Sequence, residues 1–256
     1  MNIVVCVKAV PSHAENPAIT HDGFNLEVQS PSFVMNESDE YALEQALAVK
    51  KSSGAAITVI TSGSARGQDM LYRCLAKGAD AAVRVDGDEF DPNITSLKLS
   101  KALQRLRYDL ILTGVESSDG MASQVGISLA SHLKVPFAYA VTKIDAAFDG
   151  EVVVDRELGG GRYQTLKLVT PALLCIQSGT MPLTYPAAVK LMQARKKPVP
   201  CWTLSDLEIS ADQLAASRKI RILRVESKQT TAAIEWISGA SEHIAEEICD
   251  RIRRAL

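Results

Sequence analysis

The stretch Thr113-Gly-Val-Glu-Ser-Ser-Asp-Gly-Met-Ala-Ser-Gln-Val-Gly-Ile-Ser128 decides how this chain is read. It follows Tyr108-Asp-Leu-Ile-Leu112, a short apolar run of the kind a buried parallel strand shows. After it Val125, Leu129 and Leu133 recur at i, i+4 and i+8, one face of a helix that Pro136 closes. The stretch therefore reads as a loop leaving the carboxyl end of a strand and entering a helix. It is rich in small residues (Gly114, Ser117, Ser118, Gly120, Ser123, Gly126), and the helix start brings unpaired backbone N–H groups. Free N–H groups and the helix dipole both favour an anion there. The pattern alone fits equally a loop that only caps its helix. The spacing is neither a Walker A loop nor G-x-G-x-x-G.

Working outward, the chain alternates strand and helix up to residue 135. Ile3 to Val7 reads as a first buried strand, ending in Lys8-Ala-Val-Pro11, and residues 12–35 as loop, broken by Pro17, Gly23 and Pro31. Asn36-Glu-Ser-Asp39 carries cap-type side chains ahead of a helix through Tyr41 to Val49. Ala55 to Thr61 is a second core strand, followed by Ser62-Gly-Ser64 and a helix to Lys77 with Gly78 as its cap. Ala81 to Val85 is a strand, and Ile94 to Arg107 a helix. This order predicts an α/β fold with a doubly wound, mostly parallel sheet. The strand ends at Ala9, Ser62-Gly63 and Gly114 then point to one edge, where ligands bind in such sheets. An adenosine nucleotide fits there, with its phosphate on the helix start at 119–126.

From Phe137 the pattern changes to period 2. Glu151–Leu158, a turn at Gly159-Gly-Gly161 and Arg162–Leu168 predict an antiparallel pair, and Ala172–Gln177 a further strand of the same sheet. Pro186 to Lys197 reads as a short helix ending in Arg195-Lys196-Lys197. Cations at a helix C-terminus are favourable for structure alone, so they do not prove a docking site. Beyond Pro200 one amphipathic helix is clear, roughly Ser241 to Arg254, with Ile244, Ile248 and Ile252 on one face. Two readings stay open for it: an arm packing on another subunit, or a cover for the same domain.

At 256 residues the chain can hold one large domain with appendages. A net charge of −2 leaves no basic field for nucleic acid. Five scattered cysteines with no C-x-x-C pair indicate neither zinc nor a disulfide framework, and fit small buried hydrophobes in a reducing compartment. No signal peptide or membrane-length apolar run is present, so a cytoplasmic protein is expected, not an integral membrane one. His13, His21, His132 and His243 are scattered and are assigned no chemistry.

Six blocks carry a resemblance. Lys8-Ala-Val-Pro11, Met35-Asn-x-x-Asp-Glu-Tyr-Ala-Leu-Glu44, Cys74-Leu-Ala-Lys-Gly-Ala-Asp80, Asp119-Gly-x-x-x-Gln-Val-Gly126, Arg156-Glu157 with its glycines, and Met192-x-Ala-Arg-Lys-Lys-Pro198 resemble the small (beta) subunit of electron transfer flavoproteins. The resemblance runs in order from residue 1 to about 205. It implies an adenine-nucleotide alpha hydrolase-like fold and a heterodimer with an alpha subunit. FAD would sit mainly on that partner at the interface, and AMP in this chain, or a second FAD in bifurcating members. No residue here would be catalytic. Residues 1–200 would form the nucleotide-binding domain and 201–256 a C-terminal arm on the partner.

Carried across, the nucleotide would contact Ala9, the run Asn36, Glu37, Ser38 and Asp39, and Ser62 with Gly63; the phosphate would meet Asp119, Gln124, Val125, Gly126, Ile127 and Ser128. The family's second acidic residue in the loop is replaced by Met121, and its usual Pro by Glu37. Docking of a flavin dehydrogenase, the electron donor, would fall on Tyr185, Ala188, Leu191, Arg195, Lys196 and Lys197. Many relatives place a Leu where Ala188 stands, a loss of about 1–2 kcal/mol at an anchor pocket. The usual docking to acyl-CoA dehydrogenases is therefore not expected. Two further readings are a subunit binding redox-active FAD in a bifurcating, NADH-dependent complex, and a nucleotide-binding module without a flavin partner.

Overall fold

In the first strand, β1 (Asn2–Cys6), every residue from Ile3 on is apolar and buried. Ile3 and Val5 pack into one hydrophobic cluster and Val4 and Cys6 into another, so both faces of the strand are covered. A strand alternates its side chains between faces, so only an unbroken apolar run can sit at the centre of such a sheet. The computed structural model describes residues 1–12, 18–20, 26–27, 33–148, 150–226 and 235–255. His13, His21 and the breakers Pro17, Gly23 and Pro31 lie outside them.

Short pairings follow: β2 (Ala9–Pro11), β3 (Ala18–Ile19), β4 (Leu26–Glu27) and β5 (Phe33–Met35), with β2 antiparallel to β5 and β3 to β4. Helix α1 (Glu37–Ser53) is longer than its apolar pattern indicated, carries three acids in its first turn and two lysines in its last, and ends on Gly54 at φ 70°. That charge order complements the helix dipole, and the positive φ suits glycine. The chain continues through β6 (Ala56–Ser62), the turn Ala65–Gly67, α2 (Gln68–Lys77), β7 (Ala81–Val85), α3 (Pro92–Leu103), β8 (Leu110–Gly114) and α4 (Val125–Leu133). Helix α3 stops at Leu103, short of the expected Arg107.

The second half comprises β9 (Phe137–Phe148), β10 (Glu151–Gly159), β11 (Arg162–Val169), β12 (Ala172–Ile176), α5 (Ala188–Ala194), β13 (Cys201–Trp202), α6 (Ala211–Ser217) and α7 (Ser241–Ala255). The sheet order is β11-β10-β9-β12-β8-β1-β6-β7-β13. Strands β9, β12, β8, β1, β6, β7 and β13 pair in parallel, while β10 runs antiparallel between β9 and β11. This is the doubly wound sheet with an antiparallel extension. One core cluster includes residues of α1, α2 and α5, the other residues of α3, α4 and Leu214 of α6.

Past Pro200 the sheet still gains β13, whose Cys201 and Trp202 pair with Arg84 and Val85 of β7. Leu207 and Ile209 are buried in the second cluster. Two residues of strand carry too short a pattern to be read from sequence. Cys6, Cys74 and Cys175 are buried as expected, but Cys201 and Cys249 are exposed, a correction to the reading of all five as core. Burial pushes the Cys175 thiol up to about 11 and holds it protonated. No helix among the described residues is long and apolar enough to cross a membrane.

Candidate functional site

The chain leaves β1 for β6 and β7 on one side, then returns to β8 on the other side of β1. The carboxyl ends of β1 and β8 therefore flank a point where the strand order reverses, and such points open a crevice. The run Asn36–Asp39, opening α1, holds these two ends in place. Asp39 accepts from the backbone N–H of Lys8 at 2.8 Å and of Gly114 at 2.9 Å, one carboxylate oxygen for each strand end. Asn36 donates to the Glu116 carbonyl at 2.7 Å and accepts from the Ser118 N–H at 3.0 Å. Ser38 donates to the same carbonyl at 2.7 Å. All three side chains are buried. Burial pushes the Asp39 carboxyl up to about 7, against the pull of the Lys8 and Gly114 N–H groups and the Lys8 charge.

Two glycines are required by this packing. A Cβ on Gly114 would lie 2.5 Å from Asp39 Oδ1, and one on Gly126 would lie 2.6 Å from Cys175 Sγ and 2.7 Å from Thr113 Oγ1. Gly126, in the first turn of α4, lets that helix approach β12 and β8. Gln124, the residue before α4, makes no side-chain cap, so the first N–H groups are left to the crevice.

The crevice is a cavity of about 170 Å³. Asn36, Asp39, Ser62, Gln124, Val125 and Gly126 line it; Ala9, Glu37, Ser38, Gly63, Asp119, Ile127 and Ser128 are not among its lining residues. Ala9 sits in the β2–β5 ladder opposite Met35, and Glu37 is exposed. The Gly63 N–H donates to Val85 and its carbonyl accepts from Arg84, both at 2.9 Å. Asp119 forms an ion pair with Lys8 Nζ at 2.7 Å, and the same ammonium donates to Ser117 Oγ at 3.2 Å. Ile127 is 40% exposed.

Gly114, Ser117, Gly120 and Ser123 of the stretch 113–128 line the cavity as well, while several other lining residues carry no sequence signal. Val7, Ile60 and Leu99 give the cavity apolar surface, and Lys8 is the cation among its lining residues. Phe90 and Ile220 also line it from segments outside the quoted blocks. Lys8 could have been singled out, since it follows β1 directly in Lys8-Ala-Val-Pro11. The hydroxyl Oγ of Ser62, at the end of β6, is buried without a hydrogen-bond partner, as is that of Ser64. Arg84 Nε and Arg156 Nε are orphaned likewise, and of the four only Ser62 belongs to the cavity lining; such orphans are costly in a native protein. Among the described residues, no cluster of His, Cys, Asp and Glu could hold a metal ion. His132 and His243 stand apart from the cavity lining.

The expected docking residues lie on a second surface. Tyr185 is 83% exposed, and Ala188, Arg195, Lys196 and Lys197 are exposed. Leu191 packs against the core, while Val189 and Met192 are the large apolar residues that α5 presents outward. The segment leading into α5 is anchored by Glu44, whose Oε1 accepts from Thr184 N at 2.9 Å and Thr184 Oγ1 at 2.7 Å. That oxygen also meets Lys77 Nζ at 2.7 Å, both side chains being about 95% buried (5% and 4% exposed).

A doubly wound sheet with a crevice at its switch point defines the class. The family model "Electron transfer flavoprotein domain" matches residues 24–207. The chain belongs to the electron transfer flavoprotein family, on the beta-subunit side. It is 32% identical over 244 residues to electron transfer flavoprotein subunit beta of Methylophilus methylotrophus, covering 92% of each chain. It is 34% identical over 218 residues to subunit beta of Clostridium acetobutylicum, covering 84% of this chain and 83% of that one. It is also 30% identical over 248 residues to subunit CarD of the caffeyl-CoA reductase–Etf complex of Acetobacterium woodii, covering 94% and 93%.

Proposed function

We propose that this chain is the beta subunit of a heterodimer that takes electrons from a cytoplasmic flavin dehydrogenase and passes them to a quinone-linked acceptor. It would contribute no catalytic residue. FAD, held mainly by the alpha subunit at the interface, supplies the electron-carrying chemistry when bound. The cavity between β1 and β8 would hold one structural AMP. What supports this most directly is the unpartnered Ser62 hydroxyl in a cavity that also contains the uncapped start of α4. Apolar walls suit a base, a hydroxyl suits a ribose or base edge, and free N–H groups suit a phosphate. Lys8 is the countercharge at hand, provided its pair with Asp119 opens.

In this reading α7 and the tail before it pack on the alpha subunit, and the surface around Tyr185 and α5, with Ala188, Leu191, Arg195, Lys196 and Lys197, meets the dehydrogenase. A second reading, FAD in place of AMP in a bifurcating NADH-dependent complex, is favoured by the similarity to a subunit of a reductase–Etf complex. The test is to purify the chain with its alpha partner, denature the complex, and quantify FAD and AMP by chromatography. One of each is expected. Two FAD and no AMP would establish the second reading. No nucleotide and no stable partner would overturn both, in favour of a module without a flavin partner.

A further inference from the structure

One wall of the cavity comes from the far end of the chain. Ile220 lines it, together with Glu89 and Phe90 at the start of α3. Ile220 follows α6, and its backbone N–H is held by the Asp91 carboxylate. Asp91, 1% exposed, accepts from Lys219 N at 2.6 Å and from Ile220 N at 2.8 Å through Oδ2. Through Oδ1 it accepts from Asn93 N at 2.9 Å, capping α3. Beside it the Arg218 guanidinium grips both oxygens of Glu89, at 3.0 and 3.3 Å. The same carboxylate thus starts one helix and fixes the entry of the tail. Beyond this seat the tail is open: Leu223 is 69% and Trp236 86% exposed.

We infer that Asp91 is a positioning residue that seats Ile220 as a wall of the nucleotide cavity, so that the tail entry at 218–220 sets how slowly the bound nucleotide leaves. The inference rests on the reading of the cavity as an adenine-nucleotide site. Two N–H groups on one buried carboxylate oxygen are charge-assisted bonds, stronger than neutral ones. They hold an apolar side chain, 37% exposed, against the site from a segment that makes no strand of the sheet. Loss of the seat would let Ile220 move away and open the cavity beside Phe90. Through Asp91 the wall is tied to α3 and not to the phosphate end at α4. The variants below should therefore change residence of the nucleotide without changing which nucleotide is bound.

The test uses the complete complex with its alpha partner, loaded with radiolabelled AMP and chased with unlabelled AMP. Asp91→Asn keeps an oxygen for the Asn93 N–H, since Asn is as good a helix cap as Asp. It turns an amide NH₂ toward the N–H groups of Lys219 and Ile220, which that group cannot accept. Release on the order of tenfold faster is expected, from the loss of two charge-assisted hydrogen bonds. Ile220→Ala should speed release several-fold with Asp91 untouched, and Ile220→Val should restore most of the retention. Thermal unfolding of each complex, stripped of nucleotide, separates a general loss of stability from an effect on release. If wild-type complex never takes up AMP or carries FAD instead, the AMP reading fails. If wild type holds AMP and both Asp91→Asn and Ile220→Ala release it at the wild-type rate, the wall inference is overturned and the site reading stands.

Discussion

The carboxyl end of the sheet and the C-terminal tail solve opposite problems. Around β1 and β8 the buried polar side chains of Asn36, Ser38 and Asp39 are matched by backbone groups of the strand ends and loop. In the tail, Leu223, Trp236, Ile248 and Ile252 remain 43% to 86% exposed. In the first region the polar groups left without a partner include the Ser62 and Ser64 hydroxyls, Arg84 Nε and the uncapped start of α4. The second leaves large apolar side chains open among the described residues. An isolated amphipathic helix gains most of its stability from a packed face, so α7 is a half-built element here. Polar closure marks the first region and apolar exposure the second; under the proposed function a partner covers the latter.

The largest effect is expected where a buried charge is stranded. Glu44→Ala removes the partner of Lys77 and the one oxygen that accepts both Thr184 bonds, and should cost about 3–5 kcal/mol in denaturant unfolding of the chain. Gly126→Ala comes next. Its Cβ meets the Cys175 and Thr113 side chains, and overpacking of this kind should cost about 1–3 kcal/mol.

The Asp39 carboxyl gives the first region a pH dependence. Its folded value, about 7, lies above its ordinary 3.8, so the folded chain binds the proton more tightly. The stability this supplies is fully present below about pH 4 and is lost as pH rises toward and through 7. Unfolding measured from pH 5 to 8 should show that decline. In Asp39→Asn the contribution should vanish, while overall stability falls because an NH₂ group faces a backbone N–H. A wild-type profile that rises through this window would contradict the assignment.

The tail should behave in the reverse manner. Ile248→Ser with Ile252→Ser should shift unfolding of the isolated chain by less than about 0.5 kcal/mol, as surface changes do. The same pair should weaken capture of the alpha subunit at least tenfold by titration calorimetry if α7 covers it. An unchanged affinity would place the partner elsewhere. The smallest effect belongs to Arg251, which pairs with Glu235 and Glu247 on the open surface. Arg251→Ala should lower the unfolding midpoint least of these variants, and by still less in high salt.

The sequence made the central strands and helices α1 and α4 legible, because continuous apolar runs and periodic faces are statements about burial. The candidate site was legible in part: Asn36, Asp39, Ser62, Gln124, Val125 and Gly126 line the crevice, at a strand end and two helix starts, and the other expected contacts do not. What those side chains do there was not legible. Asn36 and Asp39 read as ligand contacts and are also the stitches between β1 and β8, which only a known register could show. Phe90 and Ile220 carried no signal, since a lone apolar residue in a loop looks the same whether it lines a cavity or not. Strand β13 was too short to leave a period, and α5 exposes Val189 and Met192 while the expected docking residue Leu191 turns inward.

The measurement that bears most directly on the nucleotide cavity is the melting temperature of Ser62→Ala against wild type, each as the complex with its alpha partner, once with nucleotide bound and once stripped. If a nucleotide satisfies the Ser62 hydroxyl, the variant should melt below wild type when loaded. It should melt at or above wild type when stripped, because a buried hydroxyl without a partner is destabilising. The same difference in both states would mean that no ligand group reaches Ser62, and the account of this cavity as a nucleotide site would be wrong.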